Sequence, residues 1–444
     1  MTENNKKVAT IFYGCQMSER DAETLTAIST HKGYTVTKDL EDADLIIVNT
    51  CCVRESAENK IIGKIGQLKK IKEKKPSLKI AVSGCMVQQP GIMERLKKRA
   101  SHVDIWTGTF DLENFENLLD SALQGEKAIL ISEKAAKTSE VVPLAEKGKL
   151  RVSQNIMYGC DNYCAYCIVP YVRGRERSRP LNDIVNEIKE LVASGSKEVT
   201  LLGQNVNSYG KQDGFSYDFA DLLAEIDKVQ GLRRIRFMTS HPKDLSNKLI
   251  TTVAQSQNIC EQFHLPFQAG SNRVLEAMNR KYTREYYMER VDNILREIPH
   301  ARLSTDIIVG FPGETEEDFE QTLDLVSKVH FAQAFTFMFS KRSGTAAADL
   351  PEQIPLEVKK HRLQRLIELQ NSRSLSWRQK MIGNSYEILV EGTSKTDQKL
   401  LTGRTRGNEV AVFEGNEDLV GKLVKIKIIS ANSWTLYGEF EGIS

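Results

Sequence analysis

Three cysteines, Cys160, Cys164 and Cys167, stand close together in the stretch CDNYCAYC near the middle of the 444-residue chain. A tetrahedral structural metal site takes four protein ligands, whereas three thiolates on a four-iron cluster leave one iron free to hold a substrate or cofactor. The Cys-x3-Cys-x2-Cys spacing therefore indicates an iron-sulfur site with an open iron. The alternative is a zinc knuckle completed by a distant ligand such as His241 or Cys260.

Three more cysteines follow short apolar strands in the amino-terminal part of the chain. The segments KVATIFYG, DLIIVNT and KIAVSG alternate with helical segments, the order typical of a parallel α/β sheet. Cys15, Cys51 and Cys85 each come directly after one of these strands. Right-handed crossovers bring such strand ends to one ligand-binding edge, so the pattern predicts a second open cluster. The alternative is that these cysteines are small buried residues at strand ends.

The bulk properties set limits on the class of protein. A chain of 444 residues exceeds the size of one hydrophobic core, so two or three domains are expected. The net charge of +2 argues neither for nor against a nucleic-acid partner. Six of the eight cysteines fall in thiolate sites that need a reducing compartment, which indicates the cytoplasm. No apolar run is long enough for a signal peptide or a membrane span, so we expect a protein that is neither exported nor membrane-embedded.

Three domains and a linker are predicted from the patterning. Residues 6–122 form the parallel α/β domain, and residues 123–145 read as a linker. From Arg151 the strand-helix alternation resumes with six candidate strands, which predicts a partial (β/α)6 barrel over residues 146–375, with Cys160 in the loop after its first strand. Five short strands within residues 379–443 predict a small antiparallel β-barrel.

Basic side chains lie beside the central cysteines. The stretch YVRGRERSR places Arg173 and Arg175 next to the cluster loop, and guanidinium groups suit phosphate or carboxylate partners. The alternative is a solvated loop with one or two ion pairs. The chain contains no GxxxxGK[ST] phosphate loop and no strict dinucleotide fingerprint.

Several motifs resemble one enzyme family. YGCDNYCAYC is similar to the signature of the radical S-adenosylmethionine (SAM) enzymes, and IVPYVRGRERSRP resembles more narrowly the methylthiotransferases among them. The cores GCQM, NTC and SGC resemble the amino-terminal domain of that family. VEGTSKTDQKLLTGRTRGNEVAVFEG resembles the TRAM domain, an RNA-binding barrel attached to tRNA-modifying enzymes.

The resemblance implies a set of site residues. Two 4Fe-4S clusters are implied, a SAM-cleaving one on Cys160, Cys164 and Cys167 and an auxiliary one on Cys15, Cys51 and Cys85. Family position favours Cys51 over the adjacent Cys52, which becomes a spectator, while Cys260 is expected in the core. The implied SAM contacts at strand ends are Gln204, Gln268 and Asp306. The implied RNA contacts are Arg173, Arg175, Lys395, Lys399, Arg404 and Arg406.

Within the family, the motifs GCQMS, TLLGQNVNSYG and TSHP resemble the branch that modifies N6-dimethylallyladenosine at tRNA position 37. Ser18 departs from that branch, whose members usually carry Asn there. The implied reaction uses one SAM to methylate a sulfur on the auxiliary cluster and a second SAM to generate a radical that removes hydrogen from carbon 2 of the base. The implied partners are this tRNA, an electron donor such as flavodoxin or ferredoxin, and a sulfur source.

Other functions stay open at this stage. Related methylthiotransferases act on threonylcarbamoyl-adenosine tRNA or on a ribosomal protein. A more distant alternative is a non-catalytic iron-sulfur protein that binds RNA and senses redox state. That alternative has no need of SAM-contacting strand ends or of two open irons.

Overall fold

The computed structural model of the chain contains an α/β domain, an open parallel barrel and a small closed barrel in chain order. It describes residues 6–52, 55–89, 91–134, 148–212, 214–395 and 397–444. For residues 55–59 only the backbone is described. The predicted fold class is confirmed by this arrangement. The part of the predicted linker from residue 135 onwards lies outside the described residues.

A parallel sheet forms the centre of the first domain. Its strands are β1 (Lys7–Phe12), β2 (Thr35–Val36), β3 (Leu45–Thr50), β4 (Lys79–Gly84), β5 (Ile105–Thr107) and β6 (Ala128–Leu130). They lie in the order β2-β1-β3-β4-β5-β6. The helices between them are α1 (Gln16–His31), α2 (Glu55–Lys74), α3 (Ile92–Arg99) and α4 (Phe115–Leu123). Because helices cover both faces of such a sheet, β3 is buried along its whole length.

The boundary predicted for this domain needs a correction. β6 lies within the segment predicted as a linker, yet it pairs in parallel with β5 from Ile105 opposite Ala128 to Thr107 opposite Leu130. The sheet therefore continues beyond residue 122.

The central domain carries the predicted strand-helix alternation. Its strands are β7 (Arg151–Asn155), β8 (Met157–Tyr158), β9 (Arg177–Ser178), β10 (Glu198–Leu202), β11 (Arg234–Phe237), β12 (Gln262–His264), β13 (Arg302–Val309) and β14 (Gln333–Met338). Its helices are α5 (Val169–Arg173), α6 (Leu181–Ala193), α7 (Phe219–Asp227), α8 (Asn247–Gln255), α9 (Asn272–Ala277), α10 (Arg284–Glu297), α11 (Glu316–Lys328) and α12 (Leu356–Gln379).

The strands of this domain form one open parallel barrel. β7, β10 and β11 are neighbours, as are β12, β13 and β14, and all these pairs are parallel. A parallel bridge between Ile235 and Ile259 joins the two groups, and the Ser240 amide donates to the His264 carbonyl at 3.2 Å. Apolar side chains from the strands and covering helices fill a continuous core. The carboxyl ends of the strands consequently share one rim, where barrels of this type place their sites.

The last domain is a closed antiparallel barrel, apart from one parallel pair. Its strands are β15 (Ser385–Thr393), β16 (Leu400–Arg404), β17 (Val410–Glu414), β18 (Leu423–Ala431) and β19 (Thr435–Ile443). They close in the order β15-β16-β17-β19-β18, with β17 and β19 parallel. The predicted strands all appear here.

The closed barrel sits on the amino ends of the central strands. Arg236 of β11 donates to the Arg406 carbonyl at 2.6 Å and to the Thr405 carbonyl at 2.7 Å. Arg302, the first residue of β13, donates to Glu409 at 2.8 Å. The turn between β16 and β17 thus covers the end of the central domain that lies opposite the cysteine loop.

Helix α1 joins the first domain to the central domain. Its Arg20 is buried and donates to Glu187 of α6 at 2.8 Å, while Arg179 donates to the other oxygen of Glu187 at 2.9 Å. Because two guanidinium groups share one buried carboxylate, the mutual placement of the domains is fixed by charge as well as by packing. Within the described residues, no helix combines the length and apolar character needed to cross a bilayer.

Candidate active site

The loop carrying Cys160, Cys164 and Cys167 follows β8 on the carboxyl rim of the central domain. Its backbone is held on two sides, since the Ala165 amide donates to the Met278 carbonyl at 3.0 Å and the Cys160 amide donates to the Gly174 carbonyl at 3.1 Å. These two backbone bonds fix the loop without using the cysteine side chains.

A glycine immediately before this loop is required by close backbone packing. Gly159 has a φ of +75°, and a Cβ atom on it would lie 2.0 Å from the Arg175 carbonyl oxygen. Only glycine tolerates both the left-handed conformation and the missing space. The turn into Cys160 therefore depends on Gly159.

Burial opposes ionisation of two thiols of this loop, those of Cys160 and Cys167. Burial raises the pKa of Cys160 to about 11 and that of Cys167 to about 12. Cys164 accepts a hydrogen bond from Arg280 Nη1 at 3.3 Å. Thiol ligands lose their protons when metal binds, so these cysteines release protons as they take up iron.

The auxiliary site gathers the cysteines at the carboxyl ends of β1, β3 and β4. The Cys15 and Cys51 thiols form a hydrogen bond, which together with burial raises the pKa of Cys15 well above its usual value. A Cβ atom on Gly14 would lie only 2.3 Å from the Cys51 Cβ and 2.9 Å from its sulfur. Gly14 thus leaves the room that brings these two thiols together, and the predicted convergence fits a cluster bound at this edge.

Cys52 does not stand apart from this site. Its thiol forms a hydrogen bond with Cys85, and that bond and burial raise the pKa of Cys52 well above its usual value. The same bond and the charge of Arg173 lower the pKa of Cys85 against the effect of burial. Four thiols, not three, therefore meet at the sheet edge. The expectation that Cys52 is a spectator needs this correction, because its thiol contacts Cys85.

Arg173 connects the two cysteine sites. Its Nε donates to the Cys85 sulfur at 3.2 Å, and its Nη2 donates to Asp21 of α1 at 2.5 Å. Only 6% of Arg173 is exposed, so it has no free face for an RNA phosphate. The prediction that Arg173 contacts RNA is therefore corrected, because its partners are a carboxylate and a cluster-site thiol.

Two of the residues predicted to bind SAM lie side by side at the rim. The backbone N–H of Gln268 donates to the backbone carbonyl of Asp306 at 3.0 Å. Gln268 has a φ of +67°, a rare conformation for a residue with a side chain. The Gln268 Oε1 atom is buried and lacks a hydrogen-bond partner. Strain and an unpaired buried oxygen at one residue are typical of a site that is completed by a ligand.

Gln204, the third predicted SAM residue, faces the first domain. Its Nε2 donates to the sulfur of Met17 on α1 at 2.8 Å, while its Oε1 is buried without a partner. Asn207, a few residues further, also has both side-chain polar atoms buried and unpaired. These orphaned atoms lie on the loop after β10, so the predicted strand ends fit a polar ligand.

Sequence reasoning missed Arg280, which joins the segment after β12 to the loop that carries Cys164. It is buried, donates to the Cys164 sulfur and also donates from Nη2 to the Pro266 carbonyl at 3.0 Å. It lies two residues before Tyr282 in the segment MNRKYT, and no motif or spacing in that segment predicts a contact with a cysteine. Only the buried guanidinium beside a thiol identifies it.

The other predicted RNA contacts divide into two groups. Arg404 pairs with Glu391 at 3.2 Å, and Arg406 pairs with Glu261 at 2.6 Å, so both fasten the small barrel within itself or to the central domain. These two predictions are corrected for that reason. Arg175 is 75% exposed and pairs with Asp161, while Lys395 and Lys399 are exposed. These three remain available to RNA.

Of the two distant ligands of the zinc-knuckle alternative, His241 packs on Tyr282 near the cysteine loop, whereas Cys260 lies at the other end of the barrel. Cys260 is fully buried beside Arg236 and Glu198, at the amino ends of the central strands, and burial raises its pKa. Its predicted place in the core matches this position. In the ranges that the structure describes, no three His, Cys, Asp or Glu side chains are arranged as a ready-made site for one metal ion.

Comparison with protein families gives three matches along the chain. Residues 7–108 match the "Uncharacterized protein family UPF0004", residues 155–326 the "Radical SAM superfamily", and residues 379–440 the "TRAM domain". These segments coincide with the parallel sheet, the open barrel and the closed barrel.

Curated relatives match over almost the whole chain. A protein of Desulfitobacterium hafniense (strain Y51), named tRNA-2-methylthio-N(6)-dimethylallyladenosine synthase, is 63% identical over 439 residues, covering 99% of this chain and 98% of that protein. Proteins with the same name from Carboxydothermus hydrogenoformans and Acetivibrio thermocellus are 53% and 51% identical, each over 96% of this chain and over 98% and 89% of their own lengths.

Solved structures share the fold at low sequence identity. TsrM from Kitasatospora setae, a radical S-adenosylmethionine methyltransferase with tryptophan and a SAM analog bound, matches with a TM-score of 0.59 and 14% identity, over 77% of this chain and 75% of its own. The cobalamin-dependent radical enzyme OxsB matches with a TM-score of 0.53 and 14% identity, over 82% of this chain and 56% of its own. These likenesses bear on the fold alone.

Proposed function

Because this chain belongs to the family of tRNA-2-methylthio-N(6)-dimethylallyladenosine synthases, we propose that it inserts sulfur and a methyl group at carbon 2 of N6-dimethylallyladenosine beside the anticodon of tRNA. It is a radical SAM transferase that acts on tRNA and uses 4Fe-4S clusters and SAM. The alternatives with threonylcarbamoyl-adenosine tRNA, a ribosomal protein or a redox sensor are not favoured by these relatives.

One observation carries the proposal most directly. Arg173 leaves the loop of Cys160, Cys164 and Cys167 and reaches the Cys85 thiol at 3.2 Å. This contact supports the proposal that the two groups of thiols face a common region between the first and central domains. A reaction that combines radical chemistry on a base with delivery of sulfur needs two such sites close together.

The chain supplies ligands for both groups. We assign Cys160, Cys164 and Cys167 to the cluster that, when bound, supplies reductive cleavage of SAM, and Cys15, Cys51 and Cys85 to the auxiliary cluster. Unactivated aromatic C–H bonds are too weakly acidic for ordinary side-chain bases, which explains the requirement for radical chemistry. Four of these six thiols are buried, those of Cys51, Cys85, Cys160 and Cys164, whereas Cys15 is exposed.

Polar side chains at the rim are placed to orient SAM. We assign Gln204, Gln268 and Asp306 to this role, while Arg280 uses its donors on Cys164, Tyr166, Tyr282 and Pro266. The unpaired oxygens of Gln204 and Gln268 accept hydrogen bonds from a ligand without breaking existing ones. SAM bound at these residues would satisfy atoms that are otherwise buried at a free-energy penalty.

RNA contacts belong to exposed residues. We assign phosphate contacts to Arg175, Lys395 and Lys399, which stay exposed in the structure. The substrate base must leave its stack to reach the site between the domains, as bases in single-stranded loops do. The reaction also needs a low-potential electron donor, such as flavodoxin or ferredoxin, and a sulfur source. We place the protein in the cytoplasm, because both thiolate sites need cysteines that stay reduced.

The test is nucleoside mass spectrometry on tRNA bearing N6-dimethylallyladenosine, after anaerobic incubation with cluster-reconstituted protein, SAM, sulfide and a strong reductant. We expect the 2-methylthio nucleoside with the native chain and none with Cys164→Ala. Formation of deoxyadenosine with an unchanged nucleoside would contradict the substrate assignment. The same assay on threonylcarbamoyl-adenosine tRNA would then follow.

A further inference from the structure

Arg173 follows the cysteine loop of the central domain, but its side chain binds residues of the first domain. It ends helix α5, which begins two residues after Cys167. Its guanidinium is buried between Asp21 of α1 and Cys85 after β4. A short piece of backbone therefore joins a ligand of the SAM-cleaving cluster to a thiol of the auxiliary site.

Helix α5 is held in the first domain by packing. Ile168 and Val172 belong to the same apolar cluster as Cys52 and Cys85. The Thr109 hydroxyl also donates to the Val172 carbonyl. Because the backbone on this side of Arg173 is buried, the guanidinium has no room to swing towards solvent.

The guanidinium of Arg173 makes two different contacts, one through Nη2 and one through Nε. The carboxylate of Asp21, 2.5 Å from Nη2, compensates the buried charge and fixes the orientation of the plane. The Nε–H bond then points at the Cys85 sulfur. Hydrogen bonds to ligand sulfurs stabilise the more negative, reduced state of an iron-sulfur cluster and so raise its reduction potential.

We propose that Arg173 is a positioning residue that holds the Cys85 sulfur and raises the reduction potential of the auxiliary cluster. The inference rests on the proposed function, because it takes Cys85 as a ligand of that cluster. It also means that the loop of the SAM-cleaving cluster directly influences the electron affinity of the other cluster.

The test isolates the auxiliary site in the full-length chain. Cys160, Cys164 and Cys167 are replaced together by Ala, and the protein is reconstituted anaerobically with iron and sulfide. Iron content shows whether the auxiliary cluster is present, and a redox titration followed by electron paramagnetic resonance gives its potential. Arg173→Lys removes the directed Nε–H, and Arg173→Gln combined with Asp21→Asn removes both buried charges together.

We expect both variants to keep the cluster but to be harder to reduce. The parent is the chain with the three central cysteines replaced by Ala. At its midpoint potential, the ratio of reduced to oxidised cluster should be at least tenfold lower in the Arg173 variants. This change corresponds to a reduction potential lower by about 59 mV for a one-electron couple. Arg175→Gln is the matched control, since it removes the same charge from an exposed position in the same segment. The control should leave the potential unchanged.

The outcomes separate this inference from the proposed function. If the parent binds no cluster, the assignment of the auxiliary site fails. If the parent and the Arg173 variants bind clusters of equal potential, the inference is overturned and the proposed function stands. Loss of the cluster from Arg173→Lys with native circular dichroism would contradict the expected retention and overturn the inference, and if the double variant misfolds, Arg173→Lys alone decides.

Discussion

Neighbouring cysteines at the end of β3 differ in their surroundings. Cys51 lies against Cys15 in the space that Gly14 leaves, whereas Cys52 packs with Cys85 in the apolar core of the first domain. The contact with Cys15 and the family position favour Cys51 as the iron ligand, while Cys52 is a fourth thiol beside Cys85.

Alanine substitutions at these two cysteines should therefore give different iron contents. We expect Cys51→Ala to lose about four irons per chain, the content of one cluster, and Cys52→Ala to retain them. Iron and sulfide assays after anaerobic reconstitution make the measurement. Equal loss in both variants would show that the site uses both thiols.

Asp306 and Gln268 provide a second prediction at the residue scale. Asp306→Asn should weaken SAM binding roughly 10- to 100-fold, because a hydrogen bond to a charged group contributes about 1.5–3 kcal/mol. Equilibrium binding of SAM to the reconstituted protein measures the effect. Asp292→Asn, an exposed change on α10, should leave the affinity intact. Unchanged binding in Asp306→Asn would remove this residue from the SAM site.

At the scale of elements, the hydrophobic pattern of the sequence predicted the positions of most strands but not the contacts between domains. Alternation of apolar strands and helices gave the six central strands and the five strands of the small barrel, because period and turn residues are local properties. β6 escaped notice because three residues within a polar segment carry little periodic signal. The burial of Arg173 depends on packing between domains, which no local pattern contains.

Helix α11 begins with a capping box whose strength depends on pH. Asp318 bonds reciprocally with Thr315 and accepts from Ser271 and Arg273. Burial opposes ionisation of Asp318, but these bonds outweigh it and lower its pKa to about 2. A carboxyl group with a depressed pKa stabilises the fold above its unfolded pKa of 3.8, and this stabilisation is lost as the pH falls towards 2.

Asp318→Asn should accordingly destabilise the cluster-free protein most at neutral pH. We expect the difference in unfolding free energy between the native chain and the variant to be about 2 kcal/mol at pH 7 and to narrow by about 1 kcal/mol between pH 5 and pH 3. Urea unfolding at each pH provides the values. A difference that stays constant with pH would contradict the role of the ionised carboxyl.

At the scale of the molecule, the small barrel presents exposed aromatic side chains. Trp434 is 66% exposed and Phe440 is 42% exposed. Phe440 pairs with the buried Ile426 and stacks on Phe413, whereas Lys425 and Lys427 alternate with Ile426 and face the other side of β18. Exposed aromatic rings are typical of surfaces on which the bases of single-stranded nucleic acid stack. These two side chains replace Arg404 and Arg406 as the place where we expect the barrel to meet RNA.

Replacing Trp434 and Phe440 together by Ala should weaken tRNA binding roughly tenfold or more, because stacking of one base contributes about 1–3 kcal/mol. Gel-shift titration at fixed salt measures the change, and SAM cleavage without tRNA should be unaffected. Tyr217→Ala, an equally exposed aromatic change outside the barrel, is the control. Unaltered tRNA affinity in the double variant would show that another surface carries the RNA.

The small barrel covers the amino ends of the central strands, while the cysteines lie beyond the carboxyl ends. The eight residues of β13 separate these two ends by about 26 Å. A nucleoside or a very short oligonucleotide is too small to reach both. A folded RNA that engages both gains from a high effective concentration at the second contact. If the small barrel binds RNA, this separation should favour a folded RNA over a short oligonucleotide before any base is recognised.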